Sequence, residues 1–265
     1  MDQIDIEGLR IAYQRAGDGP PLVLLQGAFG FDSRSWDRQL DVLSNEFTVV
    51  AWDAPGCGQS ADPPDGFSAS DYANCLAAFI LALGLGRPHI LGLSFGGVLA
   101  LEFYRWHPGL PRTLILASAY AGWAGSLPAE VVEQRLQHVL RTLDLPPEQW
   151  AREWSPTIVT ASVPTELVDE IVAYLSEFHP AGQRALFHAF AHEDLRGVLP
   201  SIDVTTLLLY GDQDVRSPLS VAEDLHARIP TSRLVVMPGV GHLSNMEAPE
   251  RFNTEVRLFL REVEN

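Results

Sequence analysis

Residues His89 to Gly97 read His-Ile-Leu-Gly-Leu-Ser-Phe-Gly-Gly, an apolar β-type run that breaks at a serine flanked by glycines and continues as an amphipathic helical pattern. No other stretch restricts the fold as much. A strand that becomes a helix within about two residues holds the junction residue in a strained, positive-φ conformation, and the positions two before and two after it must be small. Gly92 and Gly96 meet that requirement. The turn presents the Ser94 hydroxyl above the carboxyl end of a strand, and the amide of Phe95, at the start of the next helix, faces any negative oxygen formed there. A lone G-x-S-x-G also fits a tight turn in any α/β protein, so the surrounding patterns decide.

Those patterns alternate. Ile4 to Arg15 reads as a β-hairpin turning at Glu7-Gly8, and compact apolar runs at Leu22–Leu25, Thr48–Trp52, His89–Leu93, Thr113–Ala117, Thr206–Tyr210 and Leu234–Met237 have the character of buried strands. Helical patterns lie between them. Tyr72 to Leu83 follows a Ser68-x-x-Asp71 capping box, and Leu219 to Arg228 follows Ser217 as N-cap with Pro218 at the first helical position. Alternation of this kind predicts a doubly wound, mostly parallel sheet of about eight strands with helices on both faces. Ligands of such sheets sit at the carboxyl ends of the strands, the side on which Ser94, Asp214 and His242 all fall.

The alternation stops between residues 121 and 199. There Val132, Leu136, Val139, Leu140 and Leu143 share one helical face, as do Leu167, Ile171, Val172, Leu175 and Phe178, while Thr157–Val163 fits strand and loop equally. The expected organisation is a core of residues 1–120 and 200–265 with a helical cap, 121–199, inserted after the sixth strand and closing over Ser94. Trp123, Trp154 and Phe187 of the insertion, with Phe29, are the candidate pocket walls; Trp150 and Phe190 are further candidates, although aromatic residues in helices also serve plain packing. The five arginines of the insertion, Arg135, Arg141, Arg152, Arg184 and Arg196, carry no signal that places them inside or outside a pocket.

A serine hydroxyl is a weak nucleophile until an adjacent base takes its proton and a third group orients that base. His242 alone among eight histidines follows a late strand directly, in a Gly-x-Gly-His turn. The acid belongs in the loop after the preceding strand, where Asp212 and Asp214 are both available; Asp212 suits a turn-shaping role, because Asp side chains bond nearby backbone amides. His188 and His192, near the end of the insertion, are weaker candidates for the pocket. Cys57 has no base near it in sequence and reads as a small turn residue.

Composition narrows the partners. A net charge of −16 disfavours nucleic acid and anionic membranes. No apolar stretch reaches the roughly eighteen residues of a membrane span, and Met1 begins a polar segment without signal-peptide character, so a cytoplasmic protein is expected. Two cysteines, Cys57 and Cys75, suggest free thiols. There is no zinc-ligand spacing, P-loop or dinucleotide fingerprint, so no metal and no cofactor is implied.

Taken together, the chain resembles the α/β-hydrolase superfamily. The resemblance rests on the elbow, on Leu22–Gly30 (Leu-Val-Leu-Leu-Gln-Gly-Ala-Phe-Gly), on Asp53–Ser60 (Asp-Ala-Pro-Gly-Cys-Gly-Gln-Ser), on Tyr210–Asp214 and on Pro238–His242, with Ser, Asp and His in the family's chain order. It implies Asp214 rather than Asp212 as the orienting acid, and an oxyanion hole made by the amides of Phe95 and Ala28, with Phe29 as the alternative second donor. Gln26 stands where the family usually has histidine; a glutamine there can brace the loop. The implied activity is hydrolysis of a small carboxylic ester or lactone through an acyl-enzyme, similar to cofactor-free carboxylesterases and enol-lactonases. A C–C bond hydrolase, a perhydrolase-type haloperoxidase, or a hydrolase-fold receptor with slow turnover would carry the same triad. The expected partner is a small-molecule substrate; the oligomeric state is left open.

Overall fold

A computed structural model describes residues 1–264; Asn265, the last residue of the expected core, lies outside the described residues. Eight strands form one sheet: β1 (Asp2–Ile6), β2 (Leu9–Ala16), β3 (Pro21–Leu25), β4 (Thr48–Trp52), β5 (His89–Leu93), β6 (Thr113–Ala117), β7 (Thr206–Gly211) and β8 (Ser232–Met237). Their order is β1-β2-β4-β3-β5-β6-β7-β8, antiparallel at β1/β2 and β2/β4 and parallel from β4 onward. β4, β5 and β6 are buried at every position, as uniformly apolar runs require when helices cover both faces. The helices of this framework are α1 (Asp37–Leu43), α2 (Ala69–Ala82) and α3 (Phe95–Trp106), joined after the insertion by α9 (Leu219–Arg228), α10 (Ser244–Glu247) and α11 (Pro249–Glu264). α1 packs with α10 and α11, α2 packs with α3, and α9 lies on β7 and β8.

The strand order locates the site. From β3 the chain steps to β4 on one side and later returns to β5 on the other, so the loops leaving β3 and β5 diverge from adjacent strand ends and open a crevice between them. Register places Leu25 beside Gly92, and Gly211 beside Met237. The loop after β3, the candidate oxyanion loop, therefore starts next to the elbow, and the loop after β7 that carries Asp214 (the acid loop) starts next to the loop after β8 that carries His242 (the histidine loop).

Between β6 and β7 run α4 (Trp123–Ser126), α5 (Ala129–Thr142), α6 (Ala151–Trp154), α7 (Thr165–Ser176) and α8 (Pro180–Phe190), with no strand among the described residues there. Val132, Leu136 and Val139 are buried on α5; on α7 the buried set is Leu167, Ile171, Tyr174 and Leu175, with Val172 half-buried and Phe178 past the helix end. The ambiguous Thr157–Val163 stretch is loop after a short 3-10 turn. Its backbone is held by the histidine loop, Leu243 N donating to Ile158 O at 3.0 Å, rather than by a neighbouring strand.

Ser68 and Asp71 form the expected reciprocal capping box, and α2 starts directly behind it at Ala69, ahead of the expected Tyr72. α9 differs from expectation at its start: Pro218, not Ser217, occupies the N-cap position. Ser217 is drawn into the acid loop, where its hydroxyl donates to Ala119 O at 2.9 Å and its amide to Asp214 Oδ1 at 2.9 Å. No helix among the described residues is long and apolar enough to cross a membrane.

Candidate active site

Ser94 joins β5 to α3 with φ 53° and ψ −112°, and its amide donates to Ala117 O on β6 at 2.8 Å. A positive φ at a non-glycine residue is a strained state of order 1–3 kcal/mol that persists only where the surroundings enforce it. Here backbone contact enforces it. A Cβ on Gly92 would lie 2.1 Å from Gly96 O, and a Cβ on Gly96 would lie 2.1 Å from Leu25 O. Neither position admits any side chain, which is the physical content of the G-x-S-x-G spacing.

His242 follows β8, and its Nδ1 lies 2.8 Å from Asp214 Oδ2, both groups being buried. The other carboxylate oxygen of Asp214 accepts the amides of Arg216 and Ser217, each at 2.9 Å. Burial alone would push the Asp214 carboxyl upward. The adjoining imidazole and the donated hydrogen bonds outweigh that and hold it below the usual aspartate value. Asp212, in contrast, is exposed and accepts Gly239 N at 2.7 Å, tying its own turn to the histidine loop. A further clamp comes from Glu247 on α10: its carboxylate accepts Gly241 N at 2.9 Å, Thr160 N at 3.2 Å and the Thr160 hydroxyl, linking the histidine loop to the inserted helices.

In the loop after β3, Gln26 is fully packed and spans to β4, its amide donating to Trp52 O and accepting Ala54 N at 3.0 Å each. The two candidate oxyanion amides differ sharply. Phe29, at φ 64°, donates its amide to the buried Gln183 Oε1 on α8 at 2.7 Å, so that donor is occupied. Ala28 lines the cavity beside Ser94, and its amide has no partner among the described residues. Gln183 Nε2 in turn donates to Cys57 Sγ at 3.2 Å. Burial pushes the Cys57 thiol up to about 12, where it stays protonated at neutral pH. Asp53, buried in the same turn, accepts Ser33 N at 2.7 Å and Gln59 N at 2.8 Å, a structural role.

A cavity of about 80 Å³ holds Ser94 and His242 in its wall together with Phe29, Trp123, Trp154 and Phe187. All four expected pocket aromatics thus line it, as does Phe190. Trp150 packs behind them, against Phe29 and Trp154 at centroid distances of 6.2 and 5.3 Å. Phe29 sits 4.3 Å from Trp154 and 4.8 Å from Phe187 by ring centroids. The strained loop is therefore anchored to the inserted helices by aromatic contacts worth roughly 0.5–1.5 kcal/mol each beyond burial. His188 and His192 are exposed and stand outside the lining.

Several site residues escape sequence reasoning. Gln183, Tyr120, Glu247 and Arg216 carry no local signal, because their partners are far away in the chain. Arg135 shows one only once the buried face of α5 is known: it falls three residues after Val132 and four before Val139, on the flank of that face, and it lines the cavity with Arg216. No group of three or more His, Cys, Asp or Glu side chains suited to a metal occurs among the described residues.

An open, mostly parallel eight-stranded sheet, with an elbow serine at its centre and the acid and histidine loops beside it, defines the α/β-hydrolase class. The α/β hydrolase family profile matches residues 22–255, and the chain belongs to that family. A thermophilic esterase from Thermogutta terrifontis, solved with malate bound, superposes with a TM-score of 0.91 at 30% identity over the whole of both chains. A protein from Cronobacter turicensis described as a putative carbamate hydrolase is 28% identical over 93% of this chain and 92% of its own length. An enol-lactonase from Burkholderia xenovorans shares the fold, with a TM-score of 0.88 at 23% identity over 98% of this chain and all of its own. The family and these relatives mark a hydrolase-type enzyme.

Proposed function

We propose that the protein is a serine hydrolase that cleaves small carboxylic esters or lactones through an acyl-enzyme. The observation that carries this reading is the 2.8 Å contact between buried Asp214 and a His242 that shares one cavity with the strained elbow serine. In the mechanism, His242 Nε2 takes the hydroxyl proton as Ser94 Oγ attacks the carbonyl carbon. Asp214 holds the proton on Nδ1 and stabilises the imidazolium that forms. The amides of Ala28 and Phe95 stabilise the tetrahedral oxyanion. His242 gives its proton to the departing alkoxide, then activates water, which releases the acid and regenerates Ser94. Carbamates, suggested by the Cronobacter relative's description, present the same carbonyl and form the second substrate arm. The reading carries with it a cytoplasmic enzyme whose buried cysteines stay reduced.

The test combines a panel of 4-nitrophenyl esters, lactones and carbamates with a fluorophosphonate probe. Turnover at about 1 per second or faster on at least one ester, labelling at Ser94, and a loss of roughly 10⁴-fold in kcat for Ser94→Ala are expected. Labelling of a different serine, or an alanine variant that keeps a tenth of the activity, refutes the assignment. A single slow turnover with retained product on every substrate would favour a receptor instead.

A further inference from the structure

Arg135 on α5 and Arg216 in the acid loop line the same cavity as Ser94 and His242, and neither has a carboxylate partner among the described residues. Elsewhere in this chain of 34 acidic side chains and net charge −16, Arg34, Arg38 and Arg152 each hold a carboxylate within 2.7 Å; what sets Arg135 and Arg216 apart is that both stand in the wall of the cavity that holds Ser94. Arg216 places its guanidinium 4.7 Å from the Trp154 ring centroid and donates Nε and Nη2 to Thr157 Oγ1 at 3.1 and 2.9 Å. Arg135 donates Nη1 to the Tyr120 hydroxyl at 3.2 Å and Nη2 to the Arg216 carbonyl at 3.4 Å.

These partners are neutral. They orient the guanidinium groups but balance no charge. Tyr120 supplies no counter-anion, since burial raises its phenol above the ordinary value. Asp214, the acid next to Arg216 in sequence, is committed to His242 and two backbone amides. Arg216 keeps some exposed surface yet is enclosed by protein on most sides, and that enclosure draws its pKa down to about 10, leaving it cationic at neutral pH. Enclosed charges without a counter-charge are unfavourable, so structures normally pair them. The charge of Asp214 acts on the Arg216 guanidinium without touching it, and no Asp or Glu side chain among the described residues lines this cavity, so an anion that enters meets two guanidinium groups without a bound carboxylate.

Resting on the hydrolase reading, we propose that the cavity takes substrates bearing a free carboxylate, which Arg135 and Arg216 bind while the ester or lactone carbonyl reaches Ser94. The planar guanidinium fork matches a carboxylate in shape and charge. The small cavity, otherwise walled by side chains such as Phe29, Leu186 and Phe187, suits a short acyl chain between the two groups.

The experiment compares 4-nitrophenyl hemisuccinate, hemiglutarate and hemiadipate with neutral 4-nitrophenyl esters of matched acyl length. At least one hemiester should exceed its neutral counterpart in kcat/KM by roughly tenfold or more, the gain of one charge-assisted interaction at about 1.4 kcal/mol per decade. Arg135→Gln should bring that ratio close to one, and Arg135→Lys should restore part of it, which a purely structural arginine would not do. Ratios of one or below for all three lengths in the wild type, with neutral esters turned over, overturn the carboxylate site and leave the hydrolase reading intact. If no ester is turned over and Ser94 is not labelled, the hydrolase reading fails, and binding decides the site. Calorimetric titration should then give a glutarate Kd at least tenfold tighter than that of glutaramide, with the difference lost in Arg135→Gln. Equal binding of acid and diamide overturns the proposal.

Discussion

Gln183→Leu isolates the contact by which the inserted helices hold the loop after β3, the proposed source of an oxyanion donor. The substitution removes the acceptor of the Phe29 amide, a 2.7 Å bond between fully packed groups, and the donor to Cys57 Sγ. A buried amide left without a partner costs about 1–3 kcal/mol. A chain of 265 residues has an unfolding entropy near 0.6 kcal/mol/K, so the Tm should fall by about 2–5 °C. The consequence for catalysis is larger. The positive φ of Phe29 is held by the bond to Gln183 and by the contacts of the Phe29 ring with Trp154 and Phe187, and the Ala28 amide next to it lies in the same turn. Loss of one oxyanion donor costs roughly 10²–10³ in kcat, and a misaimed donor somewhat less. We expect a 10- to 100-fold lower kcat on a 4-nitrophenyl ester at 25 °C, with KM changed little. Ile11→Val, on β2 and fully buried, removes roughly 0.5–1.5 kcal/mol without touching the loop and serves as the stability control. If Gln183→Leu loses stability but keeps wild-type kcat, the loop is not aimed by this bond and Ala28 is not held as argued.

Further outcomes follow from the same geometry. Asp214→Asn should lower kcat by several orders of magnitude while Asp212→Asn, which touches only its turn and Gly239, stays within about tenfold of wild type; the reverse ranking in folded variants moves the acid to Asp212. Shrinking Trp154 or Phe187 to leucine should shift kcat/KM among acyl lengths by about 1–3 kcal/mol per methylene, whereas uniform losses would assign these rings to packing alone. Asp214 is held below its unfolded value of about 4, so its ionised form contributes stability that is complete above that pH and is lost as pH falls through the lower folded value. The Tm of wild type should therefore drop more steeply below about pH 4 than that of Asp214→Asn, and parallel acid limbs would show that the folded carboxylate gains nothing from His242.

The strands and the elbow were legible in the residues because their causes are local. Thr48–Trp52, His89–Leu93 and Thr113–Ala117 declare themselves as uninterrupted apolar runs, and Gly92 and Gly96 as the only residue type the crossing backbones admit. The family profile and the sheet order agree with that reading. What the residues left open was settled by contacts between segments distant along the chain. Ser217 reads as a helix cap until the sheet brings Ala119 to its hydroxyl. Ala28 is the expected donor with Phe29 as its alternative, and Gln183, 154 positions beyond Phe29, occupies the Phe29 amide. Arg216 carries no signal in the sequence, and its place in the cavity wall follows from Trp154 and Thr157, which lie some sixty residues earlier in the chain. Local periodicity and steric exclusion act over a few residues and can be read from order alone; which amide stays free and which cation lacks a counter-charge depends on three-dimensional neighbours, and only the folded chain supplies them.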